Sequence, residues 1–160
     1  MEQLSTRAKQ LLILCIVAVA GLMAIILAAS AVSQSSLSQQ DKLDQTLSSF
    51  NAQGLTASAV SLTDMYGSEY VAGAVLCPGL NSQSVASMYG VEESQLNFTG
   101  EIAEDENYIL LAAEDGTATT RHFERTQLDM CSSGNAGQPF NASGLLPVVR
   151  TEQGGWVLMS

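Results

Sequence analysis

Residues Leu11 to Val32 read LLILCIVAVAGLMAIILAASAV, and this run constrains the chain more than any other feature. Ser30 is its one hydroxyl-bearing residue and no charge interrupts it. At about 1.5 Å per residue a helix of this length covers roughly 33 Å, enough for a hydrocarbon core of about 30 Å. A buried helix of a water-soluble domain usually keeps a polar side, and this run keeps none. Arg7 and Lys9 precede it, whereas the residues that follow (SQSSLSQQ) are uncharged. That asymmetry predicts a transmembrane helix with the N-terminus in the cytoplasm and the rest of the chain outside. The expected layout is a cytoplasmic tip at 1–10, a transmembrane helix at 11–32, a polar linker at 33–40 and an extracytoplasmic acidic domain at 41–160.

Two alternatives compete for the same run. Ala29-Ser30-Ala31 and Ala31-Val32-Ser33 offer the small residues of a signal-peptide cleavage site, but the run is longer than the usual apolar region of such a signal. Cys15 follows Leu14, where a lipoprotein signal would place a small residue, so it reads as an apolar member of the span. Ala20, Ala24 and Ala28, with Gly21 beside them, form a small-residue stripe that a second helix could approach.

Beyond residue 33 the chain carries four basic residues (Lys42, Arg121, Arg125 and Arg150) against fifteen acids, a formal charge of −11. Such a surface repels phosphate backbones and anionic lipid, so nucleic acid is excluded as a partner.

The pattern of this region predicts an α+β domain in which helices come first and pack on a mainly antiparallel sheet. Leu43, Leu47 and Phe50 define a helix at 39–52, with Ser38 and Asp41 as a capping box and Gly54 as its stop. Leu55, Ala59, Leu62 and Tyr66 fit a second helical stripe ending at Gly67. Residues 69–77 (EYVAGAVLC) read as a buried strand stopped by Pro78-Gly79. Asn81 or Ser82 caps a short helix running to Tyr89, with Val85 and Met88 or Tyr89 inward. A short strand is expected at 95–100 and an acidic turn at 101–107. Asp115-Gly116 then joins strands 108–113 and 117–128 as a hairpin. Residues 131–143 form a loop, and Gln153-Gly154-Gly155 turns a second hairpin between 147–151 and 156–159.

Candidate chemistry is sparse. Cys77 and Cys131 are the two cysteines outside the apolar run, and outside the cytoplasm such a pair is most simply a disulfide. The alternative is a nucleophilic pair of Cys131 with His122, the sole histidine, which requires a free thiolate beside a base. Glu101, Glu104, Asp105 and Glu106 supply the oxygens calcium wants but lack the spacing and glycine of a calcium loop. One histidine and two paired cysteines leave too few ligands for zinc. No catalytic, cofactor-binding or metal residue set is expected, and no cofactor. Asn97-Phe98-Thr99 and Asn141-Ala142-Ser143 match the N-glycosylation pattern. Tyr66, Tyr70, Tyr89 and Trp156 could anchor a partner, though core positions explain them as well.

The basic tip, the Ala/Leu/Ile-rich span, the Ser/Gln linker, the acidic domain and the Cys77-Pro78-Gly79 step with a later Cys131 together resemble small single-span envelope proteins of actinobacteria. The ending VVRTEQGGWVLMS is similar to the terminal strands of cystatin-like or NTF2-like α+β domains. Among the envelope proteins, accessory subunits of the cytochrome bc1–aa3 respiratory supercomplex share the one-span, one-domain build. The resemblance implies a non-catalytic accessory or scaffolding subunit without redox centres, whose partners are integral membrane proteins and the bilayer holding its N-terminal helix. An anchored binding module for a solute, lipid or cell-wall component is the alternative expectation.

Overall fold

Leu43 and Leu47 lie one helical turn apart on α1 (Lys42–Ala52), and both are buried. Gly54, in the left-handed region, ends the turn that follows. The computed structural model describes residues 41–134 and 136–159. The expected span at 11–32, the tip, the linker and the Ser38 cap therefore lie outside the described residues. Among those described, no helix is long and apolar enough to cross a membrane.

Residues Ala57 to Ser61 depart from the expected helix, which holds only at its end before Gly67. Ala57–Ser61 forms strand β1, and only Leu62–Tyr66 is helical, as α2. The stripe of apolar residues permits a helix, but Ser, Thr and Val are weak helix formers, and pairing with β7 (Leu145–Arg150) decides the conformation. Ser61 then caps α2, its hydroxyl accepting from the Asp64 amide.

β2 (Tyr70–Leu76), β3 (Glu106–Ala113) and β4 (Ala118–Glu124) form an antiparallel meander. The Asp115-Gly116 hairpin closes it, with the Ala113 amide donating to the Thr117 carbonyl at 2.8 Å. Between β2 and β3 lies α3 (Ser82–Tyr89), capped by Asn81 and ended by Gly90 in the left-handed region. Val85 of α3 is fully buried and Tyr89 half-buried, whereas Met88 is exposed. The strand expected at 95–100 is absent. A 3-10 turn at Glu93–Gln95 leads into irregular chain held to β4 by Asn97, whose amide groups already have partners there.

The largest correction concerns the sheet. One sheet was expected, and two four-stranded sheets are found, in the orders β1-β7-β8-β5 and β4-β3-β2-β6. The segment expected as one strand to residue 128 breaks after Glu124. It resumes as β5 (Leu128–Asp129), which pairs parallel with β8 (Trp156–Leu158) in the other sheet. The loop expected at 131–143 contains a short strand, β6 (Pro139–Asn141), on the edge of β2.

Alternation along β2 and β3 explains why the second sheet needs cover on both faces. Val75, Ile109 and Leu111 face one core with Leu43, Leu47, Val60, Phe123, Val148 and Trp156, contributed by α1 and both sheets. Ala74, Leu76, Tyr108 and Leu110 face a second, covered by Val85, Leu96 and Ile102. The coarse expectation stands: an α+β domain, mainly antiparallel, with few helices.

Candidate interaction surface

Asn107 shows how the two sheets are joined. It is completely buried on β3, between Glu106 and Tyr108. Its side-chain amide donates to the carbonyls of Phe123 at 2.9 Å and Leu128 at 3.1 Å, and its oxygen accepts from the Met130 amide at 2.9 Å. The carboxamide thus ties together backbone groups on either side of the break between β4 and β5. Cys131 follows this corner and Cys77 follows β2, with their Cα atoms 5.8 Å apart and their sulfurs at bonding distance.

Asp129 organises the outside of the same corner. Its carboxylate accepts from Arg125 Nη2 at 3.0 Å, from the Cys131 and Ser132 amides at 2.9 and 3.1 Å, and from the Ser132 hydroxyl at 2.6 Å. Partial burial pushes its pKa up, but hydrogen bonds from Ser132, Arg125 and the two amides outweigh this and hold it at about 2. Arg125 also donates to the Glu104 carbonyl, tying the acidic segment to the corner.

His122 stands elsewhere. It projects from the opposite face of the meander, its ring 5.0 Å from that of Tyr108 and its Nε2 3.3 Å from Glu106 Oε1. Phe98 stacks on Tyr108 in turn, at 4.8 Å. Burial, reinforced by the neighbouring Glu106 carboxylate, raises the Tyr108 pKa. The structure therefore does not bring Cys131 and His122 together: the sulfur faces Cys77 and the imidazole, on edge strand β4, faces the Glu106 carboxylate of β3.

The acidic residues do not converge either. Glu106 faces His122, Glu101 bridges to Asn81 through its backbone, and Glu104 and Asp105 receive Arg125 through their carbonyls. Among the described residues, no group of three or more His, Cys, Asp or Glu side chains is placed to hold a metal ion. Asn141 of the second glycosylation pattern spends its side-chain oxygen on the amide and hydroxyl of Ser143.

The aromatic anchors are structural. Trp156 is buried, packs edge-on against Phe50 at 5.8 Å and donates to Asn51 Oδ1 at 3.2 Å. Tyr89 is half-buried and donates to the Gly137 carbonyl at 2.9 Å, and Tyr66 lies beneath the Arg121 guanidinium.

Part of the exposed apolar surface lies where no candidate site was expected. Leu145 is 73% exposed and Met159 45%. Together with Gln138, Pro139, Phe140, Leu146, Pro147 and Leu158 they line a groove of about 240 Å³ between edge strand β6 and strands β7 and β8. Gly73 makes room for its floor: a Cβ there would stand 2.7 Å from the Phe140 ring. A signal was present in LLPVV at 145–149, a strand apolar at both alternating sets of positions. Such a strand is either covered on both faces or leaves apolar surface open, and here the second holds. No family model, curated protein or solved structure matches the chain.

Proposed function

We propose that this chain is a non-catalytic, membrane-anchored extracytoplasmic accessory or scaffolding subunit that acts by docking on integral membrane proteins. The exposed apolar groove at Leu145 and Met159 carries the reading. On a domain of formal charge −11, water and charge repulsion favour carboxylates at the surface, so a charge-free groove of large side chains marks a contact site. Its volume falls below the roughly 300–1,000 Å³ usual for small-molecule pockets, which favours an anchoring side chain of a partner over a bound solute or lipid. The apolar run at 11–32 supplies the tether, and a linker of eight residues reaches only about 14–17 Å on average, keeping partners near the bilayer. An actinobacterial respiratory supercomplex is one candidate assembly. It rests on the single-span build alone, as a cystatin-like or NTF2-like kinship rests on the terminal residues.

The test is affinity capture of the full-length chain from membranes in mild detergent. A defined integral-membrane complex is expected, with capture falling at least tenfold for Leu145→Asp and unchanged for Met88→Asp, an exposed apolar residue away from the groove. Recovery of an unpartnered chain, with a hydrolytic or transfer activity lost on changing His122, overturns the proposal.

A further inference from the structure

The lining of the groove is short of hydrogen-bond donors. Pro139 and Pro147 have no backbone N–H to give. The Met159 amide is already spent on the Pro147 carbonyl, at 2.8 Å. Gln138 brings the one polar side chain, and leucines, Phe140 and the Met159 thioether make up the rest. An apolar partner suits such a wall. A strong acceptor placed in it does not, because docking would remove its water and return too few donors.

The four methionines among the described residues differ in their access to solvent. Met130 is 1% exposed and Met65 is half-buried. Met88 and Met159 are open, at 58% and 45%, and of these two only Met159 lines the groove.

We infer that Met159 is an oxidant-sensitive modification site that switches the groove from an adhesive to a non-adhesive form. The inference rests on the groove being the docking site, as proposed above. The reagent class is a peroxide, hydrogen peroxide being its simplest member. A lone pair of the thioether attacks one peroxide oxygen, so that an S–O bond forms and the O–O bond breaks. The transferred oxygen gives up its proton, through solvent, to the departing hydroxide, which leaves as water. Sulfur loses two electrons and the peroxide gains them: one thioether and one hydrogen peroxide give one sulfoxide and one water. No residue of the chain has to act as acid or base, and access to the sulfur is the sole requirement.

The product carries a polar oxygen where an apolar chain end stood. In the free protein water solvates it. Beneath a docked side chain it meets two prolines and an amide already engaged. The same oxygen on Met88, in α3, stands away from the groove and leaves docking unchanged. A docked partner also covers the Met159 sulfur, so complex formation slows its oxidation.

The test treats full-length chain in mild detergent with hydrogen peroxide, follows each methionine by peptide mass spectrometry, and repeats the capture from membranes. Met88 and Met159 should oxidise first, Met65 later and Met130 last. Capture should fall at least tenfold in step with the Met159 sulfoxide. Met159→Leu should keep capture and make it indifferent to peroxide, whereas Met159→Gln, a lasting polar substitute, should lower it without peroxide. Met88→Leu should behave as the parent. In the captured complex Met159 should oxidise at least tenfold more slowly than in the free chain, and Met88 at its former rate. Met159 oxidising no faster than Met130, full capture by chain carrying the Met159 sulfoxide, or Met159→Leu still losing capture to peroxide would each overturn the inference and leave the docking reading intact. Failure of the untreated parent to capture any complex would overturn the docking reading, and this inference with it.

Discussion

Two polar residues at the β4–β5 corner do work that apolar neighbours cannot. Asn107 answers three backbone groups that water cannot reach. Leaving a buried donor or acceptor unmade costs about 1–3 kcal/mol, so Asn107→Ala should destabilise the domain by roughly 3 kcal/mol or more, read as a lower urea midpoint. Asp129 gives a pH dependence of definite sign. Its folded pKa of about 2 lies below the ordinary 3.8. Its contribution is therefore fully present above pH ~4 and is lost as pH falls through about 2. With its partial exposure allowed for, that contribution is about 1–2 kcal/mol. Thermal melts between pH 4 and 2 should show the loss in the parent, and Asp129→Asn should begin less stable at neutral pH and lose less.

Elements form where local pattern and tertiary pairing agree, and they shift where the two conflict. The Asp115-Gly116 hairpin and the Asn81-capped helix are local devices, and both stand where the residues indicate. β1 is the opposite case, a strand drawn from residues with a helical stripe because β7 lies beside it. The parallel β5–β8 pair is non-local as well, and it depends on Gly155. The Trp156 amide donates to the Gln127 carbonyl at 2.8 Å, and a Cβ on Gly155 would collide with the Thr126 carbonyl. Backbone cannot yield as a flexible side chain does, so Gly155→Ala should cost about 2 kcal/mol. Chemical unfolding monitored by Trp156 fluorescence would detect it, and an unchanged midpoint would count against a close β5–β8 contact.

At the scale of the whole molecule, the Cys77 and Cys131 sulfurs bring the end of β2 in one sheet to the corner that leads out of the other. A bond between them spans a separation of 54 residues, and the chain-entropy estimate gives it about 4 kcal/mol. Replacing both cysteines by Ala should lower the unfolding free energy by that order, and peptide mass spectrometry of native protein should find the two joined. Two freely alkylated thiols would refute the bond and reopen a thiol chemistry for Cys131. A domain of this size buries little enough core for such a link to matter to its folding.

Composition and local pattern alone determined the acidic character, the α+β class, the α3 cap, the main hairpins and the pairing partners available to cysteine. These follow from short-range rules of capping, turn chemistry and alternation, which a linear chain carries in full. The exposed groove and the division into two sheets were decided by tertiary structure. Leu145 and Val148 are equally apolar in sequence, yet one is 73% exposed and the other buried. Which of two apolar faces is covered depends on what the rest of the chain brings to it. Here α1 and the second sheet had one inner face to fill, and the outward side of β7 was left to water.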